Sequence, residues 1–410
     1  MSVLTGGRIV APMRRCGRDI LCGPQPRHPV RTSSAQPVPE IEATFDFNLH
    51  HRVGVRIVAA ERRAAMHLAR SFGLAEGRTD EGPDIVIDRV DRMSPAGPMR
   101  TLGGTGTAFD DAGFFITRRE KGRLVRTGIA LDEIGEPGFR ITRDGPLSSV
   151  PLLRPILNLL ALSKGLIPVH GAAFIHGGVA TLVSGWSRSG KTGALLTYMS
   201  RGARYVAADW VYLDPNGGMH GSVEPVRVRQ SHLDVLPEYR DRLPAAHRLR
   251  VRAIQIAADA YGSIPDGIQG RMPGGTRMGD RIAGGLGKRA SADLPADRLF
   301  PGALAVGPPR LDRLLLTIAH EERQIRVAPD RAEQMASRLA SIVREASGEL
   351  ASHYLMFRYA FPERRNRLID EADTLICDAL GVMLSGRDLR TVHHPYPVSP
   401  ERFFDALESN

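Results

Sequence analysis

The chain has 410 residues, 42% of them hydrophobic and 24% charged, with a formal net charge of +10. That length supports one large hydrophobic core or two ordinary ones, and its best apolar run, 151–169, is interrupted by Arg154 and Lys164, which excludes a bilayer-spanning helix. Three scattered cysteines, Cys16, Cys22 and Cys377, form neither a disulfide framework nor a zinc spacing and point to a reducing, cytoplasmic setting.

Residues 1–40 carry six arginines, six prolines and only Asp19 and Glu40 as acids, so they are expected to form a disordered Arg/Pro-rich leader. The leader holds +4 of the net charge, and the rest is spread thinly with no basic stripe interleaved with aromatics. Neither nucleic acid nor membrane is therefore an expected partner. Only Lys121, Lys164, Lys191 and Lys288 are lysines, so each is more informative than any one arginine.

Residues 41–150 are predicted to form a small N-terminal α/β accessory unit. Val53, Val55 and Ile57 alternate as a strand, and 61–72 carries a helical face through Ala65, Met66, Ala69 and Phe72. Segments 84–90, 114–118 and 124–130 read as strands between Gly and Pro turns. Gly103-Gly104-Thr105-Gly106 lacks a lysine and a following helix and reads as a turn. His50-His51 has no partner at metal-ligand spacing and reads as a surface pair.

A Leu-rich helix over 152–162 opens the second unit, 151–410. Apolar segments 169–175 and 179–184 are joined by His176-Gly177-Gly178, which predicts an antiparallel hairpin. The second strand runs into Gly185-Trp186-Ser187-Arg188-Ser189-Gly190-Lys191-Thr192, a full G-x-x-x-x-G-K-[ST] match. A helix through Leu195, Leu196, Tyr198 and Met199 should follow, closed by Gly202. The glycines let backbone N–H groups turn inward on phosphates, and the helix offers its positive N-terminus. Lys191 would meet the β- and γ-phosphates and the Thr192 hydroxyl Mg²⁺, so ATP and Mg²⁺ are the predicted ligands. A partial match at 284–289 has Ile282 in place of the first Gly and Arg289 in place of Ser/Thr. It falls in a Gly/Pro/Arg-rich stretch, 262–295, read as a long loop. Strand 204–208 ends in Asp209, 18 residues after Lys191, and an acid at that place is the usual second Mg²⁺ contact.

Together with Val169-His170-Gly171-Ala172-Ala173 and Gly202-Ala203-Arg204-Tyr205-Val206-Ala207-Ala208-Asp209, this stretch resembles the HPr kinase/phosphorylase family, itself related to phosphoenolpyruvate carboxykinase. The likeness covers about 45 residues closely. It implies an α/β, P-loop nucleotide-binding domain with a mixed sheet, and Mg-ATP-dependent phosphorylation of a serine hydroxyl on a protein or peptide. It assigns phosphate and Mg²⁺ roles to Lys191 and Thr192, the metal acid to Asp209, and the partner of the base to His170. The sequence departs from the family at Ala208, where an acid acts as general base, and losing such a base costs about 10²–10⁴ in rate. A catalytically impaired ATP-binding regulatory or scaffold protein is therefore the alternative. The family's later Gly- and Ile-rich signature is replaced by Glu224-Pro225-Val226-Arg227-Val228-Arg229, so HPr is not the expected substrate. The phosphoacceptor stays unidentified, and a homo-oligomer stays open.

The remainder reads as structural. Segment 311–319 is a buried strand. Asp330 is placed to cap a helix with Glu333 three residues on and an apolar face of Met335, Leu339, Ile342 and Val343. A second helix through Leu368, Ile369, Ala372, Leu375, Ile376 and Ala379 should stop at Gly381. His393-His394 reads as a turn without metal, beside a short strand near Val392, and a last helix follows Pro400. These helices are expected to pack on the nucleotide unit.

Overall fold

A computed structural model of the chain describes residues 43–103, 106–222, 224–262, 291–395 and 398–409. The expected leader 1–40, the partial motif 284–289 and part of the glycine turn at 103–106 lie outside the described residues. The described chain is α/β, with two large mixed sheets and a two-stranded ribbon.

Alternation of apolar residues builds the first sheet. Phe47 and Leu49 on Ala43–Leu49, and Val53, Val55, Ile57 and Ala59 on Val53–Ala59, are all buried. Val53–Ala59, Ile85–Arg89 and Phe139–Arg143 run parallel. Arg123–Ile129 and Phe114–Glu120 extend the sheet antiparallel beyond them. Helix Arg62–Ser71 covers one face through Ala65, Leu68 and Ala69. His50 departs from the surface expectation: its ring lies 5.2 Å from Tyr212 and 5.4 Å from His220, and burial followed by the charge of His220 lowers its pKa to about 4. Only His51 is exposed.

The second sheet is organised around one long strand, Ile167–His176. It pairs antiparallel with Val179–Gly185 through the Gly177-Gly178 turn, as predicted. Its other edge is shared: Trp210–Leu213 pairs with its first half and Arg204–Ala207 with its second. Val179–Gly185, Arg313–His320 and Asp388–Pro395 lie side by side in parallel. Their carboxyl ends therefore gather at one edge, where ligands of open α/β sheets bind. Helix Lys191–Met199 follows Gly185 after a short loop and buries Leu195, Leu196, Tyr198 and Met199, with Tyr198 stacked on Phe174 at 4.3 Å.

Several later elements differ from expectation. Asp330 does not cap helix Ala332–Ala346, whose N-cap is Arg331; its carboxylate instead accepts from Thr391 and Arg338. Helix Arg367–Leu384 passes through Gly381, because the next turn buries Met383 and Leu384 against the core. A further helix, Gly348–Ala360, lies between these two. The last residues of the 262–295 stretch are a strand, Ser291–Leu294, paired with Val226–Arg229, since Ala292 and Leu294 find Val226 and Val228 to cover. His393 and His394 belong to strand Asp388–Pro395 rather than to a turn.

One continuous core runs from Phe47 through helix Leu153–Ser163 and strand Ile167–His176 to Leu389. A second core lies on the other side of the Ile167–His176 sheet, under helices Lys191–Met199 and Pro400–Glu408. Among the described residues no helix is long and apolar enough to cross a membrane.

Candidate functional site

The loop 185–190 is held from beneath. Gly185 has φ +152°, and a Cβ there would lie 2.5 Å from the Thr317 carbonyl oxygen and 2.4 Å from Ser189 Oγ, so no other residue fits. Ser189 is 4% exposed; its hydroxyl lies 2.8 Å from that of Thr317, which donates to the Ser184 carbonyl. His394 is fully buried, and its Nε2 donates to the Ser189 carbonyl at 2.8 Å. Thr317 and His394 thus shape the loop from the two neighbouring parallel strands. Trp186, Ser187 and Arg188 form its exposed rim.

Lys191 opens the helix. Its Nζ donates to the carbonyls of Gly185 at 2.7 Å and Trp186 at 3.0 Å, so the ammonium lies within the curve of the loop. Burial lowers its pKa to about 8, against the opposing charges of Asp209 and Glu345. An entering phosphate would supply the charge this ammonium lacks, and the helix N-terminus points its free N–H groups the same way. Binding of a polyphosphate should then draw a proton onto Lys191 above pH 8. We expect ATP affinity to fall by up to tenfold per pH unit between about pH 8 and 9.5. Calorimetry in buffers of different ionisation enthalpy should show net proton uptake over that range, and none near pH 6.5 if Lys191 is the group.

His170 and Asp209 meet because the shared edge of Ile167–His176 has a break. The chain kinks at Ala208-Asp209 between its two short strands, and the Asp209 carbonyl accepts from the Gly171 amide at 2.9 Å. Gly171 permits close approach to the next strand, where a Cβ would lie 2.7 Å from the Val183 oxygen. His170 Nε2 donates to Asp209 Oδ1 at 3.0 Å, and its ring stacks on Trp210 at 5.2 Å. Its Nδ1 is buried with no hydrogen-bond partner. The surrounding walls desolvate Asp209, but His170, Arg154 and Arg227 outweigh this and hold its carboxyl below the usual range. The side chain is 55% exposed, toward the cleft.

Every predicted site residue from Ser187 to Thr192, together with His170 and Asp209, lines one cleft of about 460 Å³. Gly185 and Trp186 border it through the Lys191 bonds. The Thr192 hydroxyl and the Asp209 carboxylate are hard oxygen donors of the kind Mg²⁺ takes alongside phosphate oxygens. No cluster of three or more His, Cys, Asp and Glu side chains suited to a metal occurs among the described residues.

Glu224, Arg227 and Arg229 also line the cleft, though the sequence assigns them no role there. Glu224 is 9% exposed and paired with Arg154 at 2.8 Å. Arg227 and Arg229 face the cleft from the ribbon, while Val226 and Val228 bury the other face. The alternation in Glu224-Pro225-Val226-Arg227-Val228-Arg229 was a usable signal for the two arginines. No known protein family and no curated protein matches this sequence.

Proposed function

We propose that the protein is a cytoplasmic Mg-ATP-dependent kinase of the HPr-kinase-like class, with a P-loop nucleotide-binding domain, acting on a serine hydroxyl of a protein or peptide. The observation that carries this reading is the convergence of Lys191, Thr192, Asp209 and His170 on one cleft at the carboxyl ends of parallel strands. In it, the 185–190 loop and the helix N-terminus receive the phosphates, and Lys191 neutralises the γ-phosphoryl oxygens. Thr192 and Asp209 would hold Mg²⁺, which supplies charge neutralisation on the transferring group. His170 fixes the orientation of Asp209 through its Nε2 bond.

The test is incubation of the purified chain with Mg²⁺, γ-labelled ATP and a pool of serine-containing peptides. Alkali-labile, acid-stable phosphoserine is expected, formed about 10²–10³-fold more slowly with Lys191→Met. A second reading, an ATP-binding regulatory or scaffold protein without turnover, is favoured by Ala208, which lines the cleft where the family places its base. ATP binding without transfer, restored by Ala208→Asp, would select it.

A further inference from the structure

The cleft contains a carboxylate that the local motif does not supply. Glu224 lies outside the loop, the hairpin and the Asp209 strand, yet it lines the same cleft as His170, Lys191 and Asp209. Its residue is nine-tenths buried. The Arg154 guanidinium lies 2.8 Å from Oε1, but that oxygen has no hydrogen-bond partner of acceptable geometry. A carboxylate held by Arg154 in the wall of this cleft is an acid available where Ala208 supplies none.

Arg154 explains why the group can remain ionised there. It sits in the first turn of helix Leu153–Ser163, donates to the Tyr212 hydroxyl at 3.3 Å and lies 4.9 Å from the centre of the Phe72 ring. Tyr212 in turn donates to Asn158 at 2.8 Å. The guanidinium is therefore fixed from several sides and holds the carboxylate in place.

We propose that Glu224 is the general base of the transfer, replacing the acid missing at Ala208. This rests on the kinase reading above. The Glu224 carboxylate takes the proton of the acceptor hydroxyl as that oxygen bonds to the γ-phosphorus. The bond from phosphorus to the β,γ-bridging oxygen breaks at the same time, and ADP leaves with that electron pair. Burial raises the Glu224 pKa, Arg154 opposes the rise and the Asp209 charge adds to it, which makes a stronger base than a surface glutamate. The groups that act on its charge are Arg154, Asp209, His170, Arg227, Tyr205 and Tyr212, together with the Ser222 hydroxyl, whose hydrogen bond favours the ionised form.

The experiment compares wild type, Glu224→Gln, Glu224→Asp and Glu224→Gln/Ala208→Asp, with Mg-ATP and the serine-peptide pool. Tryptophan fluorescence reads ATP binding in each. The expected result is unchanged ATP binding in all four and a 10²–10⁴-fold loss of transfer in Glu224→Gln. The acid limb of the wild-type pH–rate profile should disappear in Glu224→Gln, and the double variant should regain at least about tenfold of the loss, since its new carboxylate borders the same space. Glu224→Asp keeps the charge beside Arg154 but withdraws the base, and should lose transfer while binding ATP normally. Wild-type turnover in Glu224→Gln, or loss of ATP binding in both Glu224 single variants, overturns the assignment while leaving the kinase reading intact. Wild type that binds ATP and transfers nothing overturns both.

Discussion

Lys191→Met should lower kcat/KM for ATP on the order of 10²–10³-fold, the usual result of removing one donor aimed at developing transition-state charge. Met preserves much of the apolar stem, so the loss isolates the ammonium rather than the packing. The fold should survive, because helix Lys191–Met199 is anchored by Leu195, Leu196 and Tyr198 on its buried side. Lys191→Arg is not expected to rescue. The ammonium donates to two carbonyls inside the loop at 2.7 and 3.0 Å, and a planar guanidinium fork is too large for a space shaped around a compact point charge. Transfer rates, with circular dichroism as the check on folding, decide the matter; an active Lys191→Met protein would show that the loop does not handle the γ-phosphate.

The largest expected effect on stability lies far from the cleft. Arg143 is fully buried in the first sheet. It donates to the Pro146 carbonyl at 2.9 Å, to Thr127 Oγ1 at 2.7 Å and to Glu120 Oε1 at 2.5 Å. Arg143→Leu strands a mostly buried Glu120 and two acceptors, and should cost about 3–5 kcal/mol. Arg143→Leu/Glu120→Leu should recover much of that, because a buried pair is costly mainly when only one partner is removed. Urea unfolding of the two variants and wild type measures the difference. By contrast, Arg62 and Glu76 are paired with both side chains more than half exposed, and Arg62→Ala should change stability little.

Locally encoded features were legible in the sequence. The Gly177-Gly178 hairpin, the 185–192 loop, its helix and the following strand, with Asp209 just beyond its end, were all expected and all occur, because each depends on neighbouring residues and on glycine backbone freedom. His170 and Asp209 were identified by position, but the 3.0 Å bond between them depends on a kink at Ala208-Asp209 that periodicity does not show. Glu224 and Arg154 were not legible as a pair, since they meet only through the packing of helix Leu153–Ser163 on the second sheet. In the sequence Arg154 shows only as an interruption of an apolar run. His394 was read as part of a turn, yet it lies under the loop because strand Asp388–Pro395 runs parallel to the strand carrying Thr317.

The missed helix Gly348–Ala360 did carry a signal. Leu350, His353, Tyr354 and Phe357 are its buried residues, at the spacing of one helical face. Gly381, expected to stop the next helix, faces open space inside Arg367–Leu384, so the glycine costs only about 1 kcal/mol against alanine and does not end the helix.

For the binding of nucleotide phosphates by loop 185–192, the chain carries its own reporter. Its two tryptophans both lie at the site: Trp186 on the loop rim, 54% exposed, and Trp210 stacked on His170. Titration with ATP in the presence of Mg²⁺, followed by tryptophan fluorescence and by calorimetry, measures that binding. Saturable binding of one ATP per chain, strengthened by Mg²⁺ and lost in Lys191→Met, is the predicted result. No binding at millimolar ATP, or binding that Lys191→Met leaves unchanged, would contradict it.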